Sequence, residues 1–212
     1  MGTQLGTGAV VADADREFPA VVLSSTVWRR VLDDKAYEHC SVKQVGGGLV
    51  VCGSIVAVSG DAPALCHYEL TCSADLDQAF ALTLTCAHRG REPSLRLRRS
   101  AAASWLVDDL PAAQLDGCTD IDIEWTPATN LLPIRRLAAA PGSVLDVTAA
   151  WVRLPGLAIE PTHQRYERIA ADRVRYTNVP SGFTAILTVD PRGMPVDYEG
   201  IWIRTGRWSV EP

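Results

Sequence analysis

Short runs of alternating apolar and polar residues, separated by turn-forming residues, recur along most of this 212-residue chain. In residues 95–98 and 121–124 every second side chain is apolar, a period that places apolar and charged groups on opposite faces of a β-strand. Nowhere do apolar residues keep helical spacing for a dozen positions. The sequence therefore predicts an all-β protein with a mostly antiparallel sheet and only a few short helices.

Two glycine-containing segments give the turns between predicted strands a physical basis. Asp190-Pro191-Arg192-Gly193 has proline where a φ of about −65° is needed and glycine where φ is positive, which predicts a hairpin between residues 183–189 and those that follow. Gly46-Gly47-Gly48 is also predicted to be a turn, because no Gly-Lys-Ser/Thr ending follows that would make it a phosphate loop. The predicted strands are residues 26–31, 37–43, 48–58, 65–72, 78–87, 94–99, 103–107, 119–125, 144–153, 164–169, 174–178, 183–189 and 201–205.

Composition and charge exclude several classes of function. Hydrophobic residues make up 47% of the chain and charged residues 21%, which is typical of a globular protein. The formal net charge is −5 and only Lys35 and Lys43 are lysines, so the basic surface of a general nucleic-acid binder is not expected. No apolar run approaches the roughly 20 residues that a membrane helix needs. We therefore expect neither a nucleic-acid partner nor an integral membrane segment.

The first residues and the cysteines bear on domain organisation and location. Residues 1–18 are small and polar and are expected to be a flexible leader, followed by a single domain over residues 19–212. The start of the chain lacks a basic head followed by an apolar core, so a cytoplasmic location is expected. Buried thiols rather than disulfides or zinc ligands are then predicted for the six cysteines, which form no Cys-x-x-Cys pair: Cys40, Cys52, Cys66, Cys72, Cys86 and Cys118.

An acidic strand is the first candidate site. Asp120, Asp122 and Glu124 share one face of a predicted strand, and ligand contact is one interpretation of this pattern. A charge ladder is the structural alternative, in which Arg96 and Arg98 pair with the aspartates across the sheet. Same-face carboxylates lie roughly 6.5–7 Å apart along a strand, too far for one metal ion without converging ligands. No metal-binding residue is therefore predicted.

A polar turn and an arginine pair follow the acidic strand. Thr126, Thr129 and Asn130 can cap neighbouring backbone groups, and Asn130 is placed to begin a short helical turn. Arg135 and Arg136 have planar forks that suit carboxylate or phosphate oxygens. The arginines either bind the head group of a ligand or pair internally, and the internal partners available to them are Asp120, Asp122 and the pair Asp197-Tyr198.

The tryptophans complete the set of candidates. Most of the six are expected in the core, but Trp105 and Trp125 flank or belong to the polar segment and can stack on a sugar ring. The four histidines lie in unrelated contexts without a nucleophile elbow such as Gly-x-Ser-x-Gly, so no catalytic residue is predicted. Nothing in the sequence calls for a cofactor.

The same segment also carries a family resemblance. It resembles the signature of a bacterial family described as "Putative glycolipid-binding", formerly a domain of unknown function, through Gly117-Cys118-x-Asp120-x-Asp122 and Thr126-Pro127-x-Thr129-Asn130-x-Leu132-Pro133-Ile134-Arg135-Arg136-Leu137. Other pieces agree in the family's order: Tyr68-Glu69-Leu70, Trp105, Gln164-x-Tyr166, Val189-Asp190-x-x-Gly193 and Asp197-Tyr198. The similarity covers roughly residues 28–204. Ala128 departs from it, because an aromatic residue is expected there, and its absence predicts a wider pocket or a different ligand.

The resemblance implies a spiral β-roll or half-barrel curled around an apolar groove. We expect non-catalytic binding of an amphipathic small molecule such as a glycolipid, with its tail among inward-facing Leu, Val and Trp side chains and its head near the arginines. The predicted ligand-binding residues are Arg135, Arg136, Asn130, Thr126, Trp105, Trp125, Asp120, Asp122 and Tyr198. Two alternatives remain: a hydrolase or isomerase of a lipid or sugar conjugate that uses Asp120, Asp122 or Glu124, and a structural module without a ligand.

Overall fold

The computed structural model describes residues 20–72, 81–99 and 104–210. Its strands are β1 (Val21–Arg30), β2 (Ala36–Val45), β3 (Gly48–Ser59), β4 (Ala62–Cys72), β5 (Ala81–His88), β6 (Ser94–Arg99), β7 (Trp105–Val107), β8 (Leu110–Pro111), β9 (Asp120–Ile123), β10 (Val144–Arg153), β11 (Ala158–Ala170), β12 (Arg173–Asn178), β13 (Phe183–Val189), β14 (Pro195–Tyr198) and β15 (Trp202–Ser209). The helical elements are α1 (Leu131–Arg136) and two 3-10 turns, Ala113–Leu115 and Ala128–Asn130. The predicted leader, residues 1–18, lies outside the described residues.

All fifteen strands belong to one sheet, in the order β8-β7-β6-β5-β4-β3-β2-β1-β15-β14-β13-β12-β11-β10-β9. Two antiparallel meanders meet where β1 pairs with β15, so that the first and last strands lie at the centre of the sheet. The pair β9–β10 is parallel, which makes the sheet mixed rather than antiparallel throughout. The prediction of an all-β protein with a mostly antiparallel sheet and few helices is confirmed.

The connection between the two edge strands forces this sheet to curl. In a flat sheet of fifteen strands, β8 and β9 would lie about 67 Å apart, since neighbouring strands are about 4.8 Å apart. Only the short segment between Pro111 and Asp120 joins them, and even when extended it spans at most about 30 Å. The two edges must therefore approach each other, and the sheet closes partly around its own apolar face.

The pattern of buried residues agrees with a sheet that curls around one apolar face. Along β4 buried and exposed residues alternate strictly, so one face of the sheet points inward and the other outward. The larger core cluster brings together residues of both sheet edges and of the segment between them, including Trp28, Leu84, Leu97, Trp105, Leu115, Ile121 and Leu131. A second cluster joins α1 to strands β10–β13 and contains Ile134, Leu137, Val147, Tyr166, Val174, Tyr176, Leu187 and Val189. Helix α1 thus packs into both clusters.

The predicted strands agree with the described ones wherever the two overlap, apart from their ends. The turn at Gly46 and Gly47, both with positive φ, joins β2 to β3 as predicted. The turn at Asp190–Gly193 joins the antiparallel strands β13 and β14, and Gly193 has a φ of 87°. Strand β14 is the predicted antiparallel partner of residues 183–189. The short strand β8 was not predicted, because two residues give too few alternations to reveal a period of two.

Two predictions about cross-strand pairing are wrong. Arg96 and Arg98 do not pair with the acidic strand, because both lie on the exposed face of β6 whereas Asp120 is buried, and both arginines bind Asp109 instead. Cys66 and Cys86 are joined by a disulfide rather than being separate thiols, because they lie directly opposite each other on β4 and β5 with a Cα–Cα distance of 4.0 Å. The register of two strands cannot be read from the spacing of cysteines along the chain.

Gly53 gives a direct test of how tightly the interior is packed. A Cβ atom added at this position of β3 would overlap the ring of buried Tyr68, whereas one added at Gly206 of β15 would lie 3.8 Å from Val27, an ordinary contact. We expect Gly53→Ala to lower the free energy of unfolding by about 1–3 kcal/mol or more, the usual cost of overpacking. The matched change Gly206→Ala should leave it unchanged or raise it slightly. Equal effects of the two changes in urea denaturation would contradict this packing.

Candidate functional site

The segment from Asp120 to Arg136 is tied together by an ion pair between its two ends. The Nη2 atom of Arg136 donates to both carboxylate oxygens of Asp120, at 2.6 and 2.7 Å. Thr119 adds a third hydrogen bond to this carboxylate. The side chain of Asp120 is 3% exposed and that of Arg136 is 14% exposed, so water screens the pair weakly. The internal pairing considered for this arginine is therefore present, and it fixes the end of α1 against β9.

Asp122 is held by two neutral donors rather than by an arginine. Thr129 donates to its Oδ1 at 2.9 Å, and the Gln164 amide donates to its Oδ2 at 2.7 Å. Burial raises the pKa of this carboxyl group, although both hydrogen bonds act in the opposite direction. Asp122 is thus oriented by its neighbours, and no arginine or lysine in the described part of the chain forms an ion pair with it.

The polar turn continues this network into the interior. Thr126 accepts a hydrogen bond from the backbone N–H of Ala128 at 2.8 Å, the predicted capping of a turn. Asn130 does begin α1, but its side chain makes no cap: the amide donates to the Pro127 carbonyl, and its oxygen accepts a hydrogen bond from Tyr166. Ala128 itself is 1% exposed and packs in the larger core cluster. The departure from the family pattern therefore lies in the core of this chain.

Sequence reasoning missed one buried carboxyl group behind this turn. Glu38 on β2 is 1% exposed and accepts hydrogen bonds from the Tyr68 hydroxyl at 2.6 Å and the Thr126 hydroxyl at 2.7 Å. Its Oε2 atom has no partner among the described residues. Burial raises the pKa of Glu38 to about 8. The signal was present in the sequence, because Glu38 shares its strand face with apolar Ala36 and Cys40.

A cavity of about 220 Å³, called here the aromatic cavity, collects several predicted site residues. Four aromatic side chains line it together with two carboxylates and four other polar groups: Trp151, Tyr176, Phe183, Tyr198, Asp122, Glu124, Thr126, Asn130, Asn178 and Ser181. Of the predicted ligand-binding residues it therefore contains Asp122, Thr126, Asn130 and Tyr198. The other aromatic lining residues come from β10, β12 and β13, whose place beside this segment is set by the sheet order.

The aromatic walls of this cavity are fixed by contacts among the rings. Tyr176 lies edge-on to Tyr198 with 5.9 Å between ring centroids, and its ring is 6.3 Å from that of Phe183. One face of Trp151 is covered by the guanidinium group of Arg153 at 4.2 Å. Burial raises the pKa values of Tyr176 and Tyr198, so both hydroxyl groups keep their protons at neutral pH. The walls thus offer neutral rings and hydroxyl groups.

Glu124 is the second carboxylate of the aromatic cavity. Its Oε2 atom accepts a hydrogen bond from the backbone N–H of Leu154 at 2.8 Å and lies 3.3 Å from the Nε of Arg153. The side chain is 25% exposed. Asp122 and Glu124 therefore line one cavity in different environments: both are partly buried, but the first is held by neutral donors and the second lies beside a cation.

Arg135 lies in a different cavity, of about 570 Å³, on the other side of α1. This arginine cavity is lined by three arginines and one aspartate among mostly apolar neighbours: Arg135, Arg168, Arg192, Asp190, Leu23, Ile134, Leu137, Ala139, Ala171, Val189, Pro191 and Gly193. The three residues of the predicted head-group site are therefore not together: Asn130 lines the aromatic cavity, Arg135 lines the arginine cavity and Arg136 is paired with Asp120.

The two candidate tryptophans occupy other places. Trp105 is 1% exposed and donates through Nε1 to the Cys118 carbonyl at 3.1 Å. Trp125 is partly buried against the larger core cluster. Neither residue lines the aromatic cavity or the arginine cavity.

Two further observations concern metals and membranes. Among residues 20–72, 81–99 and 104–210, no three His, Cys, Asp or Glu side chains lie close enough together to hold a metal ion. In the same part of the chain no helix has the length and apolar character needed to cross a bilayer.

In its described residues the protein is all-β and is built on one open, curved sheet, and the aromatic and arginine cavities lie beside the short helix α1. Residues 25–204 match the family model described as "Putative glycolipid-binding", and the chain belongs to that family. The 1.80 Å crystal structure of a DUF1089 family protein from Pseudomonas aeruginosa is similar to 96% of this chain and 100% of its own, with a TM-score of 0.69 and 24% identity. This likeness supports the fold alone. A search of curated proteins finds no match.

The raised pKa of Glu38 predicts how stability depends on pH. The unfolded state loses this proton near pH 4.5, whereas the folded state keeps it up to about pH 8, so the contribution of Glu38 to stability falls as the pH rises between these values. Glu38→Gln, which stays neutral, should raise the free energy of unfolding by about 1–3 kcal/mol at pH 8 and by much less at pH 5.

The exposed residue Glu69 on β4 provides the matched control, because Glu69→Gln should show no such increase between pH 5 and pH 8. Urea denaturation of the three proteins at both pH values measures the difference. A Glu38→Gln protein that is less stable than its parent at pH 8 would show that the buried carboxyl is held as a carboxylate.

Proposed function

We propose that this protein binds an amphipathic glycoconjugate, holding a sugar ring in the aromatic cavity without changing it chemically. One observation carries the proposal: four aromatic side chains and two carboxylates line a single cavity of about 220 Å³. Aromatic faces pack against the C–H groups of a sugar, while carboxylates and amides bind its hydroxyl groups. The membership of the chain in a family described as glycolipid-binding agrees with this proposal.

The size of the cavity limits what it holds. Sites for drug-sized ligands have volumes of about 300–1,000 Å³, so a cavity of about 220 Å³ suits one ring rather than a whole glycolipid. The inward-facing residues that were expected to surround a lipid tail, such as Trp28, Leu84 and Leu97, are at most 2% exposed and pack against one another. A tail inside the sheet would have to displace these core side chains.

The apolar part of the ligand has a more accessible path at the rim of the aromatic cavity. Phe183 lines the cavity and is 41% exposed, and Val179, in the turn before it, is 52% exposed. Asn178 and Ser181 of the same turn also line the cavity and are hydrogen-bonded to each other. A tail that leaves the cavity here gains contact with both apolar side chains, so the head is enclosed and the tail lies along the surface.

Titration with octyl and methyl glycosides tests this arrangement. A panel of octyl glycosides that differ in the sugar, each kept below its critical micelle concentration, should contain at least one that binds saturably in calorimetry. Its methyl counterpart should bind more weakly, because the rim contacts are missing. Asp122→Asn and Tyr198→Ala should each weaken binding of both probes about tenfold, the loss expected for one hydrogen bond to a charged group or one ring contact.

Two further variants separate the contributions of head and tail. Val179→Ser should reduce the advantage of the octyl over the methyl glycoside without affecting the methyl glycoside itself. Tyr37→Ala removes an exposed ring on β2 outside both cavities and should change neither affinity. Saturable binding that survives both Asp122→Asn and Tyr198→Ala would place the sugar elsewhere and contradict the proposal.

Hydrolysis of a glycosidic bond is a second candidate function, favoured by the different environments of Asp122 and Glu124. Asp122, the carboxyl group with the raised pKa, would protonate the leaving oxygen, and the Glu124 carboxylate would activate water or attack the sugar. The reaction adds one water across the bond. Because the acid must be protonated, the rate would fall as the pH rises through the raised pKa of Asp122.

Release of nitrophenol from 4-nitrophenyl glycosides measures this activity. Turnover that falls at least about 100-fold in both Asp122→Asn and Glu124→Gln would establish catalysis by this pair. A parent protein that binds a glycoside saturably but releases no nitrophenol would retain the binding function and exclude hydrolysis of that glycoside.

A further inference from the structure

The arginine cavity contains positive charge that has no carboxylate partner among the described residues. Arg168 on β11 is the clearest case, because it is only 7% exposed. Its guanidinium group makes two long contacts, both of 3.4 Å, to the carbonyls of Ala171 and Ile134, and its Nε atom has no partner among the described residues. A buried guanidinium normally pairs with an anion, because burial of an unpaired charge is costly.

The other two arginines of this cavity are also without carboxylate partners in the part of the chain that the structure describes. Arg192 donates to two backbone carbonyls, those of Leu23 at 3.0 Å and Val210 at 2.6 Å, so its side chain is fixed while its charge stays uncompensated. Arg135 is exposed on the last turn of α1 and forms no ion pair with any described carboxylate.

The one carboxylate in the lining does not neutralise these arginines. Asp190 accepts a hydrogen bond from Arg204 at 2.8 Å and lies 3.7 Å from the Nε of Arg207. Its other oxygen accepts from the backbone N–H groups of Arg192 and Met194, which closes the turn between β13 and β14. Both oxygens of Asp190 are therefore already paired within the protein, although the residue also lines the arginine cavity.

We propose that the arginine cavity is an oxyanion site that takes the phosphate group of a ligand. Three arginines line one cavity of about 570 Å³ in a chain with a net charge of −5, so this local excess of positive charge opposes the overall balance. Planar guanidinium forks match phosphate oxygens, and several forks are needed to neutralise a group that carries almost two negative charges. A bound phosphate would also provide Arg168 with the counter-ion that it lacks.

Burial lowers the pKa of Arg168, the direction expected for a charged group that has lost water without gaining a partner. The site is separate from the aromatic cavity, because none of its lining residues is shared with it. Phosphate binding is therefore independent of the proposed function, and either can fail alone. If both hold, the ligand class is a phosphorylated glycoconjugate, or two ligands bind at once.

The test is a titration of the full chain with inorganic phosphate at low ionic strength and pH 7.5, followed by calorimetry and by ¹⁵N-detected NMR. Saturable binding of one phosphate per chain is expected, together with changes in the NMR chemical shifts of Arg135, Arg168 and Gly193. Arg168→Met, which keeps the apolar stem in its buried place, and Arg135→Gln, which changes an exposed residue, should each weaken binding about tenfold or more.

Arg165→Gln is the matched control, since Arg165 lies on the same strand as Arg168 but is exposed and paired with Asp146. Its affinity for phosphate should equal that of the parent. If Arg168→Met does not fold, Arg135→Gln still decides the question. The proposal is overturned if phosphate does not saturate the parent, or if a folded Arg168→Met or Arg135→Gln protein binds it as well as Arg165→Gln does.

A second arm identifies the source of the phosphate group. Phosphatidylcholine vesicles with and without phosphatidic acid are compared in a flotation assay with the parent and Arg135→Gln. Capture that requires phosphatidic acid and is reduced by Arg135→Gln indicates a lipid head group, whereas binding of inorganic phosphate without such capture indicates a soluble ester or the free ion. Both results support an oxyanion site. Binding of neither probe refutes it.

Discussion

The connection between the two edge strands is the constraint on which the rest of the structure depends. A segment that spans at most about 30 Å joins strands that a flat sheet would hold about 67 Å apart, so the sheet has to curl. Once it curls, a single sheet buries its apolar face without needing a second layer. The connection and the residues that follow it then lie against the inner face, which explains why Leu115, Ile121 and Leu131 share a core cluster with strands from the opposite meander.

A polar segment placed inside a curled sheet must satisfy its hydrogen-bonding groups there, because water does not reach them. Asp120 is paired with Arg136, and Asp122 is held by Thr129 and Gln164. Thr126 donates to Glu38, whose raised pKa means that a neutral carboxyl, not a charge, occupies this buried place. The many polar residues that make this segment distinctive therefore mainly satisfy one another inside the sheet, and only the remaining polar groups are available to a ligand.

Local chemistry explains what could be predicted from the sequence. The alternation of apolar and polar residues predicted the strands, and the glycines at turns predicted the hairpins, because both signals lie within a few residues of the sequence. The pairing of Arg96 with Asp120 was wrong, and so was the prediction of separate thiols at Cys66 and Cys86, because each depends on sheet order or register between distant segments. The other four cysteines are free thiols, as predicted. The same limit applies to the sites: Arg135 and Arg136 are adjacent in sequence, but sequence alone does not show that they belong to different environments. Arg168 and Trp151 had no local signal that marked them as lining residues.

Helix α1 separates the residues of the single predicted head-group site, so that they line two different cavities or pair internally. Its first residue is preceded by Asn130 at the aromatic cavity, and its last turn directs Arg136 to Asp120 and leaves Arg135 in the arginine cavity. Six residues of helix span only about 9 Å, so the two cavities, one lined by carboxylates and aromatic rings and the other by arginines, lie close together beside one helix that packs into both core clusters. Because the ion pair between Arg136 and Asp120 joins the end of this helix to β9, we expect a change at that pair to affect the lining of both cavities, whereas a change at Arg135 or Asn130 should act on one cavity alone.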